Sequence, residues 1–260
     1  MEHITSRHNA HFKHARKLAE SGRERNKSNL ILLDGTRLIG AYAGRFGMSE
    51  ATLLLSGQGA EHPGVQAIVQ SAPLQRIYLL ADELFADISN VESPEGIVCI
   101  AALPRVQIQP PDDFRILLDG VQDPGNLGGI LRTAAAAGAT SAHLSKGCAD
   151  AWSPRSLRGG MGAQFVLPLR ERVDLGTALA GFRGKIVATS PRAQSTIYDT
   201  DLTGPVAFIF GSEGNGLQSE ILEAANQLVH IPMVDGVESL NVAAAAAICC
   251  FEKRRQGLRK

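Results

Sequence analysis

The segment FRILLDGVQDPGNLGGILRTAAAAGA, residues 114–139, joins two kinds of pattern. It opens with a short apolar run, which suits a strand covered on both faces. Asp123, Pro124 and Gly125 then supply turn chemistry, and Asn126 stands where a helix N-cap is expected. Helical spacing follows, with alanines small enough to allow close packing. A buried strand running into a helix is the repeating unit of a parallel α/β sheet.

The alternation continues in both directions. Downstream, SAHLS, FVLPL, KIVATS, PVAFIFG and LVHIPM read as strands. Residues 153–162, DLGTALAGF and LQSEILEAAN read as helices, and an alanine run after Asn241 reads as a last helix. Upstream, residues 9–21 place Phe12, Ala15, Leu18 and Ala19 on one helical face. LILLDG, ATLLLSG, RIYLLA and GIVCIAA then read as strands, with helices from about Thr36 to Arg45, over PGVQAIVQ and over DELFADI. Between the two series lies LPRVQIQPPDD, residues 103–113, whose three prolines suit extended linker backbone. The pattern divides the chain into an α/β domain over 1–102, a linker over 103–113 and a parallel-sheet α/β domain over 114–260.

Composition narrows the function classes. The 260 residues are 44% hydrophobic and 20% charged, as in an ordinary globular protein. The first residues carry no signal-type apolar stretch, so the expected location is cytoplasmic. The four cysteines show no CxxC spacing, so no metal site is expected. Net charge is zero, but residues 1–28 hold seven basic residues against three acidic ones, and the last ten residues five against one. Basic ends on a neutral chain suit a polyanionic partner, and equally a solvated helix face with a solubilising tail.

In a parallel sheet, ligands sit beyond the carboxyl ends of the strands. Three loops lie there. The first leads into Asn126 and Arg132, which are read as sharing one side of a helix. The second, FIFGSEGNGL, puts three glycines and Glu213 after a buried strand. Its glycine order is GxxGxG, a poor match to a dinucleotide fingerprint, and no phosphate loop of GxxxxGK[ST] type occurs. The third, IPMVDGVESLN, ends with Glu238, Ser239 and Asn241 ahead of five alanines. Either Ser239 or Asn241 could cap that helix, so the loop carries more polarity than capping requires.

Together NLGGILRTAAAAGA, FIFGSEGNGL and IPMVDGVESLNVAAAAAI resemble the three motifs of the SpoU/TrmH family of RNA ribose 2′-O-methyltransferases, in the SPOUT superfamily. The intervening SPRSLRGGMGAQFVLPL is similar to the family's linking segment. The start of the chain resembles a ribosomal-protein-like substrate-binding domain, with Asp34 where that domain usually has Glu. The resemblance implies a deep trefoil knot in the second domain, a homodimer, and S-adenosylmethionine as cofactor. It implies an adenosyl pocket at Gly211, Ile231 and Leu240, lined or shaped by Glu213, Gly214, Gly216, Met233, Ser239 and Asn241. The implied catalytic set is Asn126, Arg132, Glu213, Ser239 and Asn241. Arg7, Lys13, Arg16, Lys17, Arg155 and Arg158 are candidate RNA contacts, because cations meet phosphates. The expected activity is methylation of a ribose 2′-hydroxyl in ribosomal RNA. Transfer RNA, or RNA binding without catalysis on the same fold, stand as alternatives.

Overall fold

The computed structural model describes residues 1–71, 76–89, 91, 93–190, 193–212, 216–217 and 219–258. The chain forms two compact units. One comprises Met1–Pro104 with Trp152–Phe165, the other Arg105–Ala151 with Val166–Lys260. Residues 152–165 thus group with the first unit and interrupt the continuous second domain read from sequence.

The first unit runs β1 (Glu2–Ile4), α1 (Ala10–Glu20), α2 (Gly22–Ser28), β2 (Leu30–Asp34), α3 (Thr36–Phe46), β3 (Thr52–Leu55), α4 (Gly57–Glu61), α5 (Pro63–Ser71), β4 (Ile77–Leu80), α6 (Asp82–Ala86) and β5 (Ile97–Ala102). Its strands form a mixed sheet in the order β1-β4-β3-β5-β2. Asn9 caps α1 by accepting from the backbone of His11 and Phe12. The helix then lays Phe12, Ala15, Leu18 and Ala19 onto Leu32, Leu54, Val98 and Ile100 of the sheet. Between α4 and the sheet, Gly59 and Gly96 meet backbone to backbone. A Cβ on Gly59 would lie 1.9 Å from the Gly96 carbonyl oxygen, so no side chain fits.

The second unit begins with β6 (Phe114–Asp119), α7 (Pro124–Ala137) and β7 (Ser141–Leu144). The chain then adds α8 (Pro154–Gly160) to the first unit and returns as β8 (Leu169–Arg170), α9 (Leu175–Leu179), β9 (Lys185–Thr189), β10 (Ser195–Thr196), β11 (Val206–Gly211), α10 (Ser219–Ala224), β12 (Gln227–His230) and α11 (Val242–Gly257). All strands of this sheet are parallel, in the order β10-β12-β9-β11-β6-β7-β8. The central strands β6 and β11 are buried along nearly their whole length, as their continuous apolar runs require. Two strand readings shorten. FVLPL gives a 3₁₀ turn over Ala163–Phe165 and a strand only from Leu169. Pro168 accepts from the Ala142 amide but has no N–H to offer a ladder. The last strand ends at His230, which leaves Ile231 and Met233 in a loop.

Helices α7 and α11 lie side by side. Ala243 is close enough that a Cβ on Gly129 would touch its methyl at 3.6 Å, and Arg254 Nη1 donates to the Ala137 carbonyl at 3.5 Å. The matched order of these contacts makes the helices parallel, and glycine and alanine at the seam let the backbones approach. Among the described residues, no helix is long and apolar enough to cross a membrane.

Candidate active site

The carboxyl ends of β9, β11 and β12, together with residues 231–237, 239–242 and Ala245, enclose a cavity of about 680 Å³. That size suits a small-molecule ligand. Gly211, Gly216, Ile231, Met233, Ser239, Leu240 and Asn241 all line it. The strand β11 ends at Gly211, and the chain returns so tightly that the Gly216 amide donates to the Ser212 carbonyl at 3.1 Å. A Cβ on Gly211 would lie 2.5 Å from the Gly216 carbonyl carbon and oxygen, so only glycine fits. Gly216 takes φ +65°, a conformation that glycine adopts without strain. Glu213 and Gly214 lie outside the described residues.

His230 and Asp235 are the titratable groups in the described lining. The rest is backbone, hydroxyl and apolar surface. Such a cavity can hold a largely uncharged ring by van der Waals contact and backbone hydrogen bonds.

At one edge Asn241 carries two duties. Its Oδ1 accepts from the Ala243 and Ala244 amides, capping α11, and its Nδ2 donates to Asn126 Oδ1 at 2.9 Å. The N-cap of α7 is Asp123, which accepts from the Asn126 amide at 2.8 Å. Asn126 is therefore not the cap read from sequence, since Pro124 occupies the first turn and moves the cap back to Asp123. This frees the Asn126 side chain to meet Asn241.

Arg132 is exposed on α7, has no ion pair or side-chain hydrogen bond among the described residues, and is not part of the cavity lining. The reading that it shares a side with Asn126 is corrected by helix geometry. Six residues at about 100° each leave the two side chains about 120° apart and about 9 Å along the axis.

The other basic candidates lie on the first unit. Lys13 and Lys17 are exposed and have no carboxylate partner among the described residues. Arg7 pairs with Asp87 at 3.0 Å and Arg16 with Glu20 at 2.9 Å. Arg155 and Arg158 are exposed on α8. Burial raises the Asp34 carboxyl above its usual range, while a hydrogen bond from Ser89 and the charge of Arg158 oppose the rise.

Thr189, Ser190, Ser212 and His230 also line the cavity, and the sequence reading missed them. Parallel pairing aligns Ile209 with Ala188, which carries Thr189 and Ser190 alongside the end of β11. The carboxyl end of KIVATS was a usable signal once that neighbour was known.

The SpoU rRNA Methylase family model matches residues 113–251, a span that holds the cavity and both asparagines. An uncharacterized tRNA/rRNA methyltransferase of Synechocystis sp. is 34% identical over 97% of this chain and 93% of its own. The 23S rRNA (guanosine(2553)-2′-O)-methyltransferase RlmP of Bacillus subtilis is 29% identical over 98% of this chain and 100% of its own. A crystal structure of an RNA 2′-O ribose methyltransferase superposes with a TM-score of 0.84 at 29% identity, covering 98% of this chain and 99% of that one. The SpoU methyltransferase AviRb of Streptomyces viridochromogenes, in complex with the cofactor AdoMet, gives a TM-score of 0.85 at 27% identity over 96% of this chain and 98% of that one. With the fold, the strand-end cavity and the matched span in agreement, the chain belongs to the SpoU rRNA methylase family.

Proposed function

We propose that this protein transfers a methyl group from S-adenosylmethionine to a ribose 2′-hydroxyl of ribosomal RNA, acting in the cytoplasm as a homodimer. The observation that carries the reading is the cavity, whose walls come from the second and third motif segments and whose edge is tied to the first by the Asn241–Asn126 hydrogen bond. Its few charges and its backbone-rich wall suit the adenosyl group. When bound, the cofactor supplies an activated methyl group, so the transfer depends on alignment more than on bond activation.

The residues then divide the work. Gly211, Gly216, Ile231, Met233, Ser239 and Leu240 hold the adenosyl side, with Glu213 and Gly214 assigned there by family likeness alone. Asn241 and Asn126 fix the edge at which the ribose would be presented. Arg132 acts as a positive charge beside the site of transfer. It binds the phosphate beside the target ribose and stabilises the oxygen as negative charge develops. The first unit, with Arg155 and Arg158 on α8, supplies further phosphate contacts.

For the dimer, the support is apolar surface on α11 and the preceding loop. Phe251 is 48% exposed and Val234 77%. In this reading α11 is also the helix threaded through the family's trefoil knot, an assignment that rests on family likeness alone.

The decisive experiment maps 2′-O-methyl sites in RNA from cells with and without the gene, alongside calorimetric titration of the protein with S-adenosylmethionine. Loss of one ribosomal site with measurable cofactor uptake is expected. Loss of a transfer-RNA site would move the substrate, and absence of cofactor uptake would leave an RNA-binding protein without catalysis.

A further inference from the structure

Helix α11 lines the cavity at one end and grips a neighbouring segment at the other. On the reading that the cavity takes S-adenosylmethionine, we infer that Gln256 and Lys253 are positioning residues for cofactor binding. They fix the height of α11 against β11, and so the shape of the cavity at its far end.

One stripe of α11 joins the two ends. Val242, Ala245, Cys249, Glu252 and Gln256 follow one another at steps of three and four residues, so they share a face over about 21 Å of helix. Val242 and Ala245 line the cavity, and Cys249 is buried. Toward its C-terminal end the face turns polar and meets the segment that leads into β11. Gln256 Nε2 donates to the Thr200 carbonyl at 2.9 Å, and Gln256 Oε1 accepts from the Leu202 amide at 2.8 Å. Lys253, one turn earlier, donates from Nζ to the Leu202 and Gly204 carbonyls at 3.2 and 2.8 Å. The buried Glu252 carboxylate accepts from Gln256 Nε2 at 2.8 Å and from Arg255, which keeps the Gln256 amide in this orientation.

The lengths of the two elements agree. From Ala245 to Gln256 α11 rises about 16 Å, and β11 spans about the same. The latch fastens α11 just ahead of the start of β11, while Gly211 at the end of β11 lines the same cavity as Ala245. Apolar packing sets this height only weakly, because alanine and glycine at the α7 seam offer no ridges to interlock. Arg254 reaches the Ala137 carbonyl from another face, at 3.5 Å. The directional bonds of Gln256 and Lys253 therefore set the register.

The test compares full-length wild type with Gln256→Met, Lys253→Met, the double variant and Lys253→Arg. In calorimetry the double variant should bind S-adenosylmethionine about tenfold more weakly, as when about one molecule in ten keeps the binding register. In methyl-transfer assays KM for the cofactor should rise and KM for ribosomal RNA should not. Lys253→Arg keeps donors for both carbonyls and should restore most of the affinity. Without cofactor, hydrogen exchange should quicken at the Ala245 amide as well as at Leu202, with Phe208 of β11 unchanged. Should the double variant fail to fold, the single variants carry the test, each weakening binding about threefold. Unchanged cofactor affinity in every folded variant, equal losses in Lys253→Met and Lys253→Arg, or quickened exchange confined to Leu202 would each overturn the inference. So would equal quickening at Phe208, which marks general loosening. Wild-type protein without cofactor uptake would instead overturn the cofactor reading, and exchange at Ala245 would still decide the latch.

Discussion

Asn126 and Asn241 show how one hydrogen bond can join segments 115 residues apart at the rim of a site. Their removal should have separable effects. Asn126→Ala leaves the Asp123 cap of α7 in place, so stability should hold while methyl transfer falls by tenfold or more. Asn241→Ala loses the cap of α11 as well and should cost about 1 kcal/mol of stability on top of a similar loss of activity. Urea unfolding beside a methyl-transfer assay separates the two. At Gly211, alanine would put a methyl group 2.5 Å from backbone, so Gly211→Ala should abolish cofactor uptake in calorimetry. Much of this was legible in the sequence, because glycine-rich and asparagine-bearing loops after apolar strands are local patterns. The cap was not, because DPGN contains two residues that could cap and only the observed position of Pro124 in the first turn decides between them.

At the scale of elements, α11 asks why a helix should begin with five alanines. Four of them have four different surroundings. Ala243 packs near Gly129, Ala245 lines the cavity, Ala246 is buried and Ala244 is exposed. Ala245→Leu should therefore fill part of the cavity and weaken cofactor binding at least tenfold. Ala244→Leu should leave cofactor uptake unchanged, and any effect should fall on self-association, read by sedimentation. Equal cofactor losses in the two variants would contradict this assignment. The sequence could not assign these faces, because a run of identical small residues carries no hydrophobic periodicity. It did identify the run as a close-packing surface, which the approach to α7 bears out. FVLPL misled for a related reason: its apolar content suits a strand, but proline at 168 delays the ladder to Leu169.

At the scale of the whole molecule, the alternation of strands and helices was readable and the strand order was not. Periodicity reports which faces are buried, not which strand lies beside which, so nothing in KIVATS announced that Thr189 borders the cavity. Nor could it show that residues 152–165 group with the first unit, since that depends on contacts distant in sequence. The same distance hides a buried polar network in the second unit. Asp112 accepts from the hydroxyls of Thr140 and Ser141 and pairs with Arg115 at 2.7 Å. The single Ser141 proton is spent on Asp112, so at 3.1 Å His143 Nε2 is the donor to Ser141 and Nδ1 is left unprotonated, buried and without a partner among the described residues. Burial first, and then the charge of Arg115, lowers the His143 pKa to about 4 against the attraction of Asp112. The unfolded chain takes up that proton near pH 6.5 and the folded chain only near pH 4, so between these values the unfolded state holds more protons. The contribution is full above about pH 6.5 and is lost as pH falls toward 4, by up to about 3 kcal/mol. Urea unfolding of the wild type across this range should show that decline. His143→Gln, which cannot take up the proton, should flatten it, and an unchanged slope in the variant would place the acid sensitivity elsewhere.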